Sequence, residues 1–246
     1  MERSKYICCL LTGIFLICVN TAFTQSVYSK KIYDTYIQGR MDNWVPVMQQ
    51  MEAANPASLE EKLELLNYYY GYTGYMVGIK KAKEAVPYIE KGEKLIEQIL
   101  RVSPDNASAL AYKGSFLGFK IANSKIKAVT LGPEAMKAIN KAYQIDPSNI
   151  QALADKGNML YYAPSVFGGD KKLSLQFFEK GISIMESKRQ TKENWFYLYL
   201  LVSLARRQEE NGMRDQALAT YRKILRIEPG FQWVRDELYP DLLKKQ

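Results

Sequence analysis

The side chains that most often carry catalysis or bind metals are scarce in this chain. It has 246 residues and no histidine, which excludes histidine general-base catalysis, Ser-His-Asp and Cys-His arrangements and histidine-ligated zinc. Its three cysteines, Cys8, Cys9 and Cys18, all lie near the N-terminus. If that segment is removed as a leader, no disulfide, cysteine nucleophile or cysteine metal site remains.

Two other patterns that could suggest chemistry are weak. The carboxylate pairs Glu60/Glu61 and Glu209/Glu210 are sequence neighbours on exposed helix surfaces, which does not make an acid–base dyad. The Phe-Gly-Gly-Asp run at residues 167–170 lacks the lysine and the serine or threonine of a phosphate-binding loop. The sequence therefore predicts a protein that is not an enzyme, with no catalytic residue, no cofactor and no metal.

A repeated unit positions the remaining side chains. Residues 109–114 (ALAYKG) recur 43 positions later as residues 152–157 (ALADKG), and Gly71, Gly114 and Gly157 share that spacing. Self-similarity at a period of roughly 20 to 50 residues is typical of stacked arrays, in which each unit buries its apolar face against its neighbours. Because glycine destabilises a helix interior, three at one register predict that a neighbouring helix backbone approaches closely there.

The apolar periodicity is helical throughout. Apolar residues recur at three- and four-residue intervals, and no segment alternates as a half-buried strand does. We predict an all-α fold, a right-handed α-solenoid of about five helix-turn-helix repeats with a C-terminal capping helix. Ser58 and Asp170 are predicted helix caps, Pro87 should kink or delay its helix, and Pro133 should start one. The predicted units are residues 27–56, 57–104, 105–147, 148–190 and 191–229, with the cap at 230–246.

These repeats resemble the tetratricopeptide repeat family. Residues 212–229 (GMRDQALATYRKILRIEP) match the second helix of its unit closely, and residues 39–56 carry its glycine, large apolar residues and closing proline. The resemblance covers almost all of residues 27–229 and implies a scaffold whose first helices line a concave groove. The middle units exceed the family's usual length of about 34 residues. Residues 164–170 are also similar to a loop of exported bacterial helical-repeat proteins, including T-components of TRAP transporters.

Placing the first helices side by side turns a row of tyrosines toward that groove. Tyrosine combines a flat apolar face with a hydroxyl, so the row could hold an extended peptide or stack on sugar rings. The alternative is that these tyrosines belong to the core, with their hydroxyls at its rim. The predicted partner-binding residues are Tyr33, Tyr36, Tyr69, Tyr72, Tyr112, Asp155, Asn158 and Tyr162.

The turns between the two helices of each middle unit carry lysines. Successive turns project from one edge of a stack, so the lysines could attract phospholipid head groups, an acidic glycan or an acidic protein. A solvated edge without a partner is the alternative. The predicted basic edge consists of Lys80, Lys81, Lys120, Lys125, Lys127, Lys171 and Lys172. Nucleic acid is not an expected partner, because the net charge of +8 is modest and an exported protein rarely meets nucleic acid.

The N-terminus has the pattern of a secretory leader. Arg3 and Lys5 precede an apolar run at residues 6–19, and residues 22–24 suit a signal peptidase. We expect residues 1–24 to be a signal peptide and residues 25–246 to be exported to the periplasm or cell envelope. An uncleaved membrane tether is the alternative, because the run is about long enough to span a bilayer.

Two functions are consistent with these patterns. The first is a non-enzymatic exported scaffold that binds a protein or peptide segment of the cell envelope in the tyrosine-lined groove. The second is a periplasmic solute- or glycan-handling component associated with a transporter. A scaffold leaves the groove open at both ends, whereas a carrier closes it into a pocket of roughly 300–1,000 Å³.

Overall fold

The structure, a computed structural model, describes residues 26–245. This part of the chain contains eleven α-helices and no strand, which confirms the predicted all-α helical repeat fold. None of these helices is long and apolar enough to cross a membrane. The predicted signal peptide and the three cysteines lie outside the described residues.

The helices pair in chain order into five hairpins, followed by a C-terminal segment. That segment passes through a π-helical turn (Val234–Leu238) into the short helix α11 (Tyr239–Lys244). The hairpins are α1 (Val27–Ile37) with α2 (Trp44–Ala53), α3 (Leu59–Gly78) with α4 (Val86–Val102), α5 (Ala107–Asn123) with α6 (Ala128–Ile145), α7 (Ile150–Tyr162) with α8 (Lys171–Ser187), and α9 (Trp195–Glu210) with α10 (Arg214–Ile227).

Side-chain caps set where two of these helices begin. The Ser58 hydroxyl accepts a 3.1 Å hydrogen bond from the Glu61 N–H, and the Glu61 carboxylate accepts one of 2.9 Å from the Ser58 N–H. This reciprocal capping box satisfies donors that the first helical turn leaves unpaired. Asp170 caps α8 by accepting from the Leu173 N–H at 2.9 Å. Both predicted caps are confirmed.

The two prolines singled out in the sequence behave differently. Pro87 lies in the first turn of α4, where a missing N–H has no intrahelical partner to lose, so it delays the helix as predicted. The prediction that Pro133 starts a helix is wrong, because α6 begins at Ala128 and contains Pro133. The carbonyl that Pro133 leaves without a donor belongs to Val129, a residue that is 82% exposed to solvent.

The three glycines at the repeat spacing do permit close packing, but against different neighbours. A Cβ added to Gly114 would lie 2.8 Å from the carbonyl oxygen of Ala135, so the backbone of α6 approaches α5 as predicted. At Gly71 the space is filled by the indole of Trp195, and at Gly157 by the ring of Phe178, each with an atom at 2.6 Å. The shared register therefore reflects close contact, with a backbone neighbour at one position and aromatic rings at the other two.

Helix α9 fills the inside of the curved stack. Its buried residues number 12 of 16, so it is packed on all sides and not along a single stripe. It packs against α8, α10 and α1, and through Trp195 and Tyr199 it also reaches α3. We call the faces of α3, α5 and α7 that turn toward α9 the inner wall. Side chains of α9 contact it at Asn67 and Tyr70 of α3 and at Asn158 of α7.

Candidate functional site

Polar and aromatic side chains of four helices meet at the inner wall. They come from α3, α5, α7 and α9, whose residues are spread over more than half of the chain. We call them the inner cluster: Asn67, Tyr70, Tyr112, Asp155, Asn158, Trp195, Tyr199 and Arg207.

Amide side chains hold the aromatic members of the inner cluster in place. Asn67 accepts a 2.8 Å hydrogen bond from the Trp195 indole and donates one of 2.8 Å to the Tyr112 hydroxyl. Asn158 donates to the hydroxyls of Tyr70 and Tyr199 at 3.2 and 3.0 Å, and these two hydroxyls lie 3.1 Å apart. Each amide therefore joins three helices, and buried hydrogen-bond networks of this kind specify one arrangement of the core.

Arg207 carries a buried positive charge against α7 and α8. Its guanidinium carbon lies 4.5 and 4.4 Å from the ring centroids of Tyr161 and Phe178. It donates to the Asn158 side-chain oxygen at 2.6 Å and to the Ser203 carbonyl at 3.0 Å. Among residues 26–245 it forms no ion pair, so the ring faces and carbonyl dipoles offset part of its desolvation. Burial lowers the pKa of Arg207 from its usual value.

Asp155 is a buried acid with no exposed surface. It accepts a 2.8 Å hydrogen bond from the Gln151 amide. Burial raises the pKa of Asp155 to about 7, against the opposing effect of hydrogen bonds from Ser115, Gln151 and Tyr70. A shifted pKa often marks an active site, but this carboxyl is enclosed in the core and has no route to a substrate. The hydrogen bonds of Asp155 join α5 and α7 inside the core.

Most of the predicted partner-binding residues are enclosed. Five are buried, with exposed fractions of 0 to 5%: Tyr33, Tyr69, Tyr72, Tyr112 and Asp155. Tyr36 and Asn158 are half-buried, and Tyr162 is 74% exposed. A partner could reach the buried five only if the surrounding helices separated. Partner binding by these residues stays a prediction, and Tyr162 is the member most open to contact.

The helical register of α3 differs from the predicted one. Tyr69 donates a 2.6 Å hydrogen bond to Glu52 of α2, and the ring of Tyr72 lies 4.8 Å from that of Tyr88 in α4. These two tyrosines therefore face α2 and α4. Tyr70, which the sequence analysis did not select, faces the inner wall, because each helical residue turns the side chain by about 100°.

Trp195, Tyr199 and Arg207 were also missed. A signal for them was present in the sequence, since residues 195–205 (WFYLYLLVSLA) are apolar on every face. A helix with that composition is typically buried on all sides. Recognising it would have indicated that the fifth hairpin fills the groove and does not simply extend the stack.

The predicted basic edge is largely exposed. Lys120 is half-buried and pairs with Glu93 at 2.7 Å. A surface cavity of about 360 Å³ beside the α3–α4 turn is lined by Lys80, Lys81, Lys83 and Asn123. The six exposed members of the predicted edge are Lys80, Lys81, Lys125, Lys127, Lys171 and Lys172.

A second surface cavity, of about 240 Å³, lies between α8, α9 and α10. Ile182, Leu201 and Leu204 form its apolar floor, with Glu186 and Lys223 at its side. In the described part of the chain, no group of three or more acidic, cysteine or histidine side chains is arranged to hold a metal ion.

Comparison with known proteins identifies the fold. No protein-family profile and no curated protein matches the chain. Among solved structures, the thermophilic TPR protein TTC0263 of Thermus thermophilus matches with a TM-score of 0.56 at 15% identity, over 87% of this chain and 97% of that one. Two structures of a putative kinesin light chain from Podosopora anserina with nearly identical TPR-like repeats, one of them a point variant, also match. The variant matches at 14% identity with a TM-score of 0.38, over 83% of this chain and 94% of that one. The other structure matches at 18% identity with a TM-score of 0.36, over 81% of this chain and 93% of that one. The chain therefore has a tetratricopeptide-repeat-like fold, an all-α array of helical hairpins.

Proposed function

We propose that this protein is a non-enzymatic exported scaffold that binds a protein or peptide segment of the cell envelope. The TPR-like fold supports a role in protein interaction. The single observation that carries the proposal is the position of Tyr162, a large aromatic residue left 74% exposed at the end of α7. It lies at the C-terminal end of α7, beside Arg207 of α9.

The surroundings of Tyr162 suit an anchor for a partner. Its ring lies 4.9 Å from that of Tyr161 at an angle of 89°, and the Arg207 guanidinium lies 5.8 Å from its centroid. Tyrosine and arginine dominate the binding energy of protein interfaces, above all where the supporting side chains are already ordered. Hydrogen bonds to Asn158 and Ser203 hold the Arg207 guanidinium in place, so the side chain that supports Tyr162 does not have to rearrange when a partner binds.

The enclosure of Asp155 supports a non-enzymatic role. Burial raises the pKa of Asp155 to about 7, but this carboxyl has no exposed surface, so a substrate would have to open the core to reach it. The leader pattern at residues 1–24 is what supports export. Cell fractionation and the mass of the purified protein test it, since cleavage is expected to leave Gln25 at the N-terminus.

Site-specific photo-cross-linking tests the binding site. A benzophenone amino acid replaces Tyr162 in one variant and Tyr143, a tyrosine of α6 whose ring contacts Phe177, in the control. We expect one defined envelope protein to be cross-linked from position 162 and not from position 143, and the purified partner to bind wild type more tightly than Tyr162→Ala. Equal cross-linking from both positions would contradict the proposal. Saturable binding of a free sugar or solute, with no cross-linked protein, would instead favour the transporter-associated carrier.

A further inference from the structure

The turns that follow α3, α5 and α7 share one edge of the molecule. Asn67 in the middle of α3 bonds to Tyr112 in the second turn of α5, and Gly74, seven residues further along α3, faces Phe119, seven residues further along α5. The two helices therefore run parallel, with their C-terminal ends together. The cavity lined by Lys80 to Glu84 and by Asn123 joins the turn after α3 to the last residue of α5 directly.

Helix α7 continues the same arrangement. Asn149, which caps α7, donates a 2.8 Å hydrogen bond to Ser108 in the first turn of α5. Further along, Ser115 of α5 hydrogen-bonds Asp155 of α7. These two contacts make α5 and α7 parallel, so residues 163–170 project from the same edge as residues 79–85 and 124–127.

Large apolar side chains are exposed at the tips of these turns. Ile126 is 84% exposed and stands between two lysines, and Val129, one turn further, is 82% exposed. In the next turn Val166 is 83% and Phe167 66% exposed. Single exposed apolar residues are common on protein surfaces, but several at neighbouring tips of one edge mark an interaction surface.

The lysines between these tips have few acidic partners. The three turns contain two carboxylates, Glu84 and Asp170, and Asp170 caps α8. Glu84 lies 3.8 Å from Lys81. Within residues 26–245 the ammonium groups of Lys80, Lys125, Lys127, Lys171 and Lys172 form no ion pair, although that of Lys171 lies 5.4 Å from the Tyr161 ring. The edge is therefore positively charged as well as apolar.

We infer that this edge binds the surface of a bilayer that contains anionic phospholipids. We call it the lipid edge, formed by Lys80, Lys81, Lys125, Lys127, Lys171 and Lys172 with Ile126, Val129, Val166 and Phe167. The lysines pair with phosphate groups, while the apolar tips enter the boundary between head groups and acyl chains.

A bilayer explains both features of the edge. Lys125-Ile126-Lys127 alternates charge and apolar surface within one turn, which suits an interface where long lysine side chains reach the head groups around an inserted residue. An acidic polysaccharide would use the lysines and leave the apolar tips in water. A single acidic protein would need one continuous surface, whereas these tips stand on separate turns.

Vesicle flotation tests the inference with the purified protein. The vesicles are phosphatidylcholine alone, or phosphatidylcholine mixed with phosphatidylglycerol, at low and at high salt. Three variants are compared with wild type in the same background: Lys125→Gln/Lys127→Gln, Ile126→Ser/Phe167→Ser, and the control Lys188→Gln/Lys192→Gln, which removes two exposed lysines from the α8–α9 turn. Thermal melts followed by circular dichroism confirm that each variant is folded.

We expect wild type to bind the anionic vesicles, and to bind less at high salt. Lys125→Gln/Lys127→Gln should weaken binding roughly 25-fold, since each lysine near an anionic surface contributes about a factor of five. The control should stay within about twofold of wild type. Ile126→Ser/Phe167→Ser should weaken binding at both salt concentrations, because insertion of apolar groups is not screened.

Three results would overturn the inference. One is equal binding to vesicles with and without phosphatidylglycerol. Another is an equal loss in the control and in Lys125→Gln/Lys127→Gln. The third is wild-type affinity in Ile126→Ser/Phe167→Ser together with binding to a soluble acidic polysaccharide, which would identify a soluble polyanion as the ligand. None of these depends on the partner cross-linked from position 162.

Discussion

The hydroxyl of Tyr33 in the first helix donates a 2.7 Å hydrogen bond to the carboxylate of Glu228, which ends the last hairpin 195 positions later. Beside it, the rings of Tyr36 and Phe231 lie 5.1 Å apart. In an open array each unit contacts only its neighbours. This chain differs from an open array because its first helix contacts the end of its last hairpin. The joined ends also pack against the start of α9, where the rings of Tyr36 and Trp195 lie 5.7 Å apart.

Removing the Tyr33 hydroxyl should loosen the joined ends. We expect Tyr33→Phe to lower the free energy of unfolding by about 1.5–3 kcal/mol, the usual net contribution of a hydrogen bond to a charged group. Amide hydrogen exchange should accelerate in α1 and around residues 228–231, while exchange in α5 and α6 stays as in wild type. Tyr28→Phe is the control, because the Tyr28 hydroxyl makes no hydrogen bond within the described residues. If amide exchange in α1 and around residues 228–231 is the same in Tyr33→Phe as in wild type, this hydrogen bond does not stabilise the contact between the two ends.

Asp155 should make stability fall as the pH rises. In the folded state burial raises the pKa of Asp155 to about 7, whereas in the unfolded chain an aspartate has a pKa of about 3.9. Between these values the unfolded state loses a proton that the folded state keeps, so this residue destabilises the fold progressively from about pH 4 to pH 7. Asp155→Asn removes the effect, and at pH 8 it should be more stable than wild type by roughly 1–3 kcal/mol.

Urea denaturation from pH 4 to pH 8 measures this difference, and Asp146→Asn provides a control of opposite sign. A hydrogen bond from Ser148 lowers the pKa of Asp146, so its stabilisation is present above the unfolded pKa and is lost as the pH falls. Asp146→Asn should therefore be less stable than wild type at neutral pH and should approach it in acid. A stability difference for Asp155→Asn that is constant with pH would refute the assignment.

Two glycines of one helix should respond oppositely to alanine. A Cβ at Gly114 would lie 2.4 Å from Ile139 and 2.8 Å from the Ala135 carbonyl, whereas a Cβ at Gly118 would meet no atom within 4 Å. Gly114→Ala should cost about 1–3 kcal/mol through overpacking. Gly118→Ala should stabilise the protein by about 0.5–1 kcal/mol, because alanine has the higher helix propensity. The melting temperatures of the two variants measure this difference. Equal changes in melting temperature would mean that α6 does not pack against Gly114 as described.

Alanine at Tyr112 and at Tyr162 should separate core from surface. Tyr112 is 4% exposed, so Tyr112→Ala should lower the free energy of unfolding by about 3–5 kcal/mol. Tyr162 is 74% exposed, so Tyr162→Ala should stay within about 0.5 kcal/mol of wild type. Urea denaturation gives both values. Wild-type stability in Tyr112→Ala would show that its ring lies outside the core and is available to a partner.

The amino-acid sequence by itself determined the local structure of this protein. The all-α class follows from apolar spacing, and the starts of α3 and α8 follow from Ser58 and Asp170, because a cap acts within a few residues of its own position. The close packing at Gly114 also followed from its register, since glycine permits a backbone approach that other residues block.

Only the tertiary structure decided which side chains meet. Whether Tyr69 or Tyr70 faces the inner wall depends on a rotation of α3 by about one residue, which apolar periodicity does not resolve when both neighbours are tyrosines. The contact of Tyr33 with Glu228 depends on how each hairpin between them packs against the next. The apolar composition of residues 195–205 indicates that α9 is buried, but which helices cover it is decided by packing between units and by no local pattern.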